Sequence, residues 1–433
     1  MSAGPSPHRA MAADAVWNYA ALAVTALVGA VVTFLIAGRL GTAALGVFAQ
    51  LYAVHVIGAQ VAVFGIHDST QKHVAEHGGR SMVDDGVVTT ALGLVLVSSL
   101  VIAVLLVAVA PWVGEWVASR DVGRGLTLTA PGIVAFALNK VLFAALNGRG
   151  QLRRYAVMQL VRAALVLVAV LVVIVAGAPV FFVGGIFAAA ELLLLPCLFL
   201  AVRPAWPHAS GASPTPSWWR RHLTFGSRGL VNGILLETHL RVDVVTLGYF
   251  VSDRAVGVYA FASLFAEGLY QVPVVMRTVA YPAFVRLASL GDRPGVSGLA
   301  RRLSVASGVA CGATAIVVAL AYPVLGGWVD VELVSVGWPV LLILLAGMTV
   351  YAFVVPFDQL LLQSGLPGRQ SALMATYVFA NVVLNITLIP RFGLTGAAVA
   401  TATALVLAGV LLLVASRVWL GYRPMVLLHK AAS

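Results

Sequence analysis

The stretch Ala15–Ala37 reads AVWNYAALAVTALVGAVVTFLIA, with no Asp, Glu, Lys or Arg in 23 residues. A helix of that length rises ~35 Å, enough to cross a hydrocarbon core of ~30 Å. It is longer than a signal-peptide core and lacks a small-residue cleavage site, so it is expected to be a retained first span. The chain around it has the same character. Of its 433 residues, 61% are hydrophobic and 10% charged, with mean hydropathy +0.99, against ~45–50% and ~25% in soluble domains. The sequence therefore predicts an all-α polytopic membrane protein.

Apolar runs able to span lie near residues 15–38, 43–65, 86–112, 125–147, 154–176, 180–202, 226–249, 255–280, 303–325, 335–363, 370–390 and 394–416. Twelve helices with short connections leave no segment for a water-soluble catalytic domain. With the N-terminus inside, nineteen of the 27 Lys and Arg residues fall at inner ends and loops and five outside. That bias predicts cytoplasmic N- and C-termini in a multi-pass protein of the cell membrane. The net charge of +11 is then a matter of orientation and not of nucleic-acid binding. Cys197 and Cys311 both fall in apolar runs, where a thiol behaves as a small hydrophobe.

The longest polar connection, Arg203 to His222, carries Pro204, Pro207, Pro214 and Pro216 and ends in Trp218-Trp219-Arg220-Arg221, an interfacial composition. It predicts a first six-helix lobe at 1–205, a cytoplasmic linker at 206–222 and a second six-helix lobe at 223–433. The halves share short patterns. Gly46-Val47-Phe48-Ala49 and Gly257-Val258-Tyr259-Ala260 open the second and eighth spans, and Gly185 and Gly396 recur at the same offset of 211. Parallel repeats of this kind imply a pseudo-twofold axis along the membrane normal.

Three basic residues, Lys140, Arg162 and Arg241, lie deep in the apolar runs. A charge at the bilayer centre costs at least ~2.5–3.5 kcal/mol, so such residues face protein or a wet cavity. Lys140, with Asn139 beside it, and Arg162 occupy consecutive antiparallel spans at comparable depth. These four residues, Arg241, Lys140, Arg162 and Asn139, are the candidates for binding an anionic substrate; for Lys140 and Arg162 the competing explanation is snorkelling to inner headgroups. Glu237 and Arg241 are four apart, so on one continuous helix they would pair across a turn. Among the buried acids Glu191, Glu237, Asp243, Glu267 and Asp358, the ion-coupling candidates are Glu267, Glu237 and Asp358. Glu267 is mid-span, where desolvation favours a neutral carboxyl, the competing explanation being a structural partner for Arg241 on the adjacent helix. Asp358 could pair with Arg369 or reach water, and Asp243, nearer the outer end, suits capping or packing.

His73 and His77 are four apart, but no third ligand stands out, and a solvated helix explains them better than a metal. No Walker A, GxSxG, HExxH or CxxC pattern occurs in the sequence. No metal or cofactor is therefore expected, and transport would draw on an ion gradient, the membrane potential or the substrate gradient.

Twelve spans, Arg39-Leu40-Gly41 followed by Leu45-Gly46-Val47-Phe48, Arg241-Val242-Asp243 before Leu247-Gly248, and Asn385 with Pro390-Arg391-Phe392-Gly393-Leu394-Thr395-Gly396-Ala397-Ala398 resemble the polysaccharide-transporter (Wzx-type) flippases. Their multidrug/oligosaccharidyl-lipid/polysaccharide exporter superfamily also holds multidrug and toxin exporters and lipid II flippases. The resemblance implies a V-shaped pair of lobes alternating between inward-open and outward-open states. It implies a polyprenyl-pyrophosphate-linked oligosaccharide as cargo, moved to the outer leaflet for surface polysaccharide biosynthesis, alongside a polysaccharide polymerase or glycosyltransferase partner. The alternatives are an ion-coupled multidrug exporter of the same superfamily and, from another class, a membrane glycan ligase or polymerase. The first span carries Asn18, Thr25 and Thr33 but no mid-span acid, unlike the cation-coupled drug exporters. Lipid II flippases generally have two further spans, and the short outer loops, such as Ala118 to Arg124, leave little room for a ligase site.

Overall fold

The computed structural model describes residues 7–77, 81–202, 216–239, 241–364 and 366–421. Most of the expected linker 206–222, and the flanking charges Arg80, Arg203, Arg423 and Lys430, lie outside the described residues. Helices account for nearly all the rest. Ten of them are long and apolar enough to cross a membrane, and the described chain divides into two compact units, 1–237 and 238–433.

The first unit contains α1 (Pro7–Arg39), α2 (Thr42–Val63), α3 (Ile66–His77), α4 (Ser81–Trp116), α5 (Arg120–Gly148), α6 (Leu152–Val175), α7 (Val183–Val202) and most of α8 (Pro216–His239). Its organising element is α5, which packs against α2, α3, α4 and α7. Close helix approach in a membrane relies on small residues. A Cβ on Gly132 would stand 2.9 Å from the Ala188 backbone, so α5 and α7 meet nearly backbone to backbone. By contrast α4 turns Val97, Val101, Val104 and Leu105 outward, all more than half exposed. That is a lipid-facing side on a helix apolar all round.

The second unit contains α9 (Val242–Phe250), α10 (Asp253–Ser289), α11 (Arg293–Ala321), α12 (Val331–Ser335), α13 (Gly337–Ala352), α14 (Leu360–Gln363) and α15 (Pro367–Leu420). At 54 residues, α15 would reach roughly 80 Å if straight, more than two membrane thicknesses. It folds at Gly393, whose φ of 55° and ψ of −130° lie outside what a side-chain-bearing residue tolerates. Its two halves match the runs expected at 370–390 and 394–416.

Two expected spans are interrupted. The run 226–249 is a discontinuous helix: α8 ends at His239 and α9 starts at Val242, with Arg241 at the junction in a non-helical conformation (φ −127°, ψ −12°). The run 335–363 ends its α-helix at Ala352, passes through a 3-10 turn at Val355–Phe357 and resumes as the short α14. Pro356 in that turn has no N–H to continue the ladder.

Candidate functional site

The structure gathers the first-lobe candidates around one aromatic ring. On α5, Asn139, Lys140 and Phe136 are within a turn of each other; α6 brings Arg162 and α7 brings Glu191. The Arg162 guanidinium carbon lies 4.4 Å from the Phe136 ring centroid and the Lys140 ammonium 5.3 Å from it, both within cation–π range. Arg162 Nε donates to Glu191 Oε1 at 2.6 Å. Asn139 Nδ2 donates to the other carboxylate oxygen at 2.8 Å and to the Glu191 carbonyl at 2.9 Å. Glu191 is buried to 2% exposure, so Arg162, Glu191 and Asn139 form a neutral, closely bonded triad.

Lys140 is held more loosely. Its Nζ donates to Gln60 Oε1 on α2 at 2.5 Å and to Glu237 Oε1 on α8 at 3.4 Å, and both side chains of the ion pair are about a quarter exposed. The pairing of Glu237 with Arg241 expected from their spacing is not what forms. The helix stops between them, so the register that would stack the two side chains is interrupted, and Glu237 takes Lys140 as its partner.

In the second lobe Arg241 reaches Glu267 on α10, Nη1 to Oε1 at 4.0 Å, and the Glu267 side chain is half-exposed. Asp358 lies in the interruption after α13. Its partner is Arg277 on α10, at 2.7 Å, and not Arg369. Gln370 Nε2 donates to the Asp358 carbonyl at 3.0 Å, satisfying a backbone acceptor that the broken helix leaves open. Arg241 and Asp358 thus both mark places where a span is interrupted.

A further cluster was not apparent from sequence. Asp243, two residues past Arg241 in the first turn of α9 and 8% exposed, accepts hydrogen bonds from four side chains. The donors are Thr401 Oγ1 at 2.6 Å, Tyr259 Oη at 2.9 Å, Asn385 Nδ2 at 2.9 Å and Asn381 Nδ2 at 3.2 Å. They come from α10 and from both halves of α15. Two signals pointed here, Tyr259 in the repeated Gly-Val-aromatic-Ala pattern and Asn385 in the late motif, but the folding of α15 on itself is what brings Asn381 and Thr401 to one carboxylate. The cluster offers only oxygen and amide groups, a set suited to a proton or a hard cation and not to zinc or copper.

His73 and His77 do not form a solvated helix face as expected. Both rings pack edge-on against Trp218 of α8, at 5.3 and 5.6 Å between centroids. Next to them His222 is buried, its Nδ1 bonded to Ser69 Oγ at 2.9 Å and its Nε2 to the Val87 carbonyl at 3.1 Å. Desolvation pushes the His222 imidazole down to about 4.

Discontinuous spans and charged clusters inside compact bundles of apolar helices define the class: a multi-pass membrane transporter. A family model described as polysaccharide biosynthesis protein matches residues 11–288, and the chain belongs to that family. A relative described as probable flippase AglR, from Haloferax volcanii, is 25% identical over 400 residues, covering 89% of this chain and 79% of its own. Among solved structures, lipid II flippase MurJ in an inward closed conformation aligns with a TM-score of 0.78 at 13% identity, over 93% of this chain and 87% of its own. An inward-facing multidrug resistance MATE family transporter of the MOP superfamily aligns at 0.68 and 12%, over 91% and 94%. At such identities these structures establish the fold, which is the one the sequence resemblance implied.

Proposed function

We propose that this chain is a flippase that carries a polyprenyl-diphosphate-linked oligosaccharide from the cytoplasmic to the outer leaflet by alternating access. In this reading both termini are cytoplasmic, a linker near 206–222 joins lobes 1–205 and 223–433, and the polymerase or glycosyltransferase of the same glycan are the partners. The observation that carries it is the contrast between the basic groups of the first lobe. Arg162 is committed to Glu191 and Asn139, while Lys140 has a partly exposed partner at 3.4 Å. An incoming diphosphate can replace Glu237 at Lys140 with no buried charge left alone. Arg241, at the helix junction and 4.0 Å from Glu267, is the corresponding group in the second lobe. Ion coupling falls to carboxylates that can change partner or protonation, Glu267 and Glu237 first, then Asp358, with the Asp243 cluster as a further oxygen-rich site.

The family match and the description of the Haloferax relative as a probable flippase support this reading. Arg241→Ala should abolish surface polysaccharide while leaving the protein in the membrane at parental level. Full polysaccharide in that variant would remove Arg241 from the site. The half-exposed Glu267 and the fold shared with multidrug exporters favour a second reading, export of a cationic compound. That reading predicts drug sensitivity in Glu267→Gln cells with polysaccharide unchanged.

A further inference from the structure

The N-terminal end of α6 and the C-terminal end of α7 border an open surface cavity of about 460 Å³ lined by Arg153, Arg154, Val157, Met158 and Ala201. It lies in the first lobe, away from the Lys140 cluster. The lining holds two guanidinium groups, three apolar side chains and no carboxylate, and among the described residues neither arginine pairs with an acid. Arg154 is set in place by Nη1, which donates to Gln151 Oε1 at 3.2 Å and to the Ala201 carbonyl at 3.4 Å. Both contacts use one nitrogen of the fork, and the side chain remains exposed. The Arg153 guanidinium lies 5.3 Å from the centroid of the Trp17 ring, and Trp17 is itself 42% exposed. A half-exposed Trp beside arginines at a span end marks headgroup depth.

From the cavity an apolar stripe runs along α6. Val157, Ala164, Val168, Val172 and Val175 are all exposed at helical spacing, and α6 buries only Ala156, Ala163 and Val170. Two fixed cations at headgroup depth, an apolar floor and a continuous apolar track upward together complement a molecule with a phosphate at one end and an acyl chain at the other. A free anion would find the cations but waste the floor; a zwitterionic lipid would fill the track and offer a phosphate, but would bring its own headgroup cation beside the two arginines.

We propose that this cavity binds an anionic phospholipid, its phosphate between Arg153 and Arg154 and one acyl chain along the outer face of α6. The lipid is a resident ligand of the first lobe, and its binding does not require the cargo proposed above. The test is a titration of the purified full-length chain in detergent with phosphatidylglycerol or phosphatidylcholine of equal acyl length, read as bound lipid by native mass spectrometry. The parent should retain phosphatidylglycerol at least tenfold better than phosphatidylcholine. That preference should fall at least fivefold in Arg153→Gln/Arg154→Gln and also in Ala201→Trp, which puts bulk into the cavity with both arginines intact. It should persist in Arg301→Gln/Arg302→Gln. Equal retention of the two lipids by the parent, an unchanged preference in Ala201→Trp, or an equal loss in Arg301→Gln/Arg302→Gln would each overturn the proposal. Displacement of bound phosphatidylglycerol by millimolar inorganic phosphate would likewise overturn it, assigning the cations to a free anion.

Discussion

Asp243 is the side chain on which the second lobe depends most. Its carboxylate accepts from Tyr259, Asn381, Asn385 and Thr401. Removing it takes a bond from four donors, of which Asn385 and Thr401 keep a second acceptor in Asn381 and the Ala397 carbonyl. Each buried unmade bond costs ~1–3 kcal/mol, so Asp243→Ala should destabilise by several kcal/mol. Asp243→Asn, which keeps the volume and one acceptor oxygen, should lose about half as much. Thermal unfolding of the two variants in the same detergent checks the order. Arg162 presents the opposite case: its charge is spent on Glu191, so the residue that looked like a substrate ligand is already held in place. Sequence reveals that a charge is buried; it does not reveal whether its counter-charge is exchangeable.

At the scale of elements, the interruptions decide which charges meet. Because a helix in lipid must satisfy its own backbone over its whole length, the apolar runs were legible in position, although α8, α10 and α11 extend beyond the expected ends, to Pro216, Ser289 and Arg293. The breaks were not, since Thr238-His239 before Arg241 and Val355-Pro356-Phe357 before Asp358 are unremarkable within an apolar average. The pairing read from spacing therefore moved, Glu237 to Lys140, and Asp358, expected to meet Arg369 or water, pairs with Arg277. The Gly393 fold in α15 was foreseen as the gap between two spans, yet the Asp243 cluster it assembles was not, because it joins residues 158 positions apart.

The docking of α8 onto α3 and α4 is an element-scale contact with a pH signature. His222 is neutral when folded, with the imidazole pushed down to about 4 by desolvation, whereas an unfolded histidine titrates near ~6.5. Between those values the unfolded chain binds a proton that the folded chain does not, so stability falls as the pH falls from about 6.5 to 4. His73, also shifted down chiefly by desolvation with the neighbouring Glu76 carboxylate limiting the shift, acts in the same direction. Unfolding temperature should drop over that window, and His222→Gln, which can still bond Ser69, should shrink the drop.

For the whole molecule, each lobe carries its own charged cluster: Lys140 with Gln60 and Glu237 in the first, Arg241 with Glu267 in the second. Composition alone indicated a membrane protein, and the inside–outside bias of Lys and Arg indicated a topology. The family followed from glycine and charge patterns spread over the chain. None of these distinguishes an anionic from a cationic cargo, since buried bases and buried acids occur side by side; that distinction rests on which pairs can open. It is tested most directly with the purified protein in liposomes containing a fluorescent polyprenyl-diphosphate-linked disaccharide in both leaflets, measuring the fraction of label exposed to a membrane-impermeant quencher over time. The parent chain should make the inner-leaflet label accessible, and Lys140→Gln/Arg241→Gln should slow this at least tenfold with the protein still folded. Parental rates in the double variant, or no translocation by the parent under an imposed ion gradient, would contradict the flippase reading.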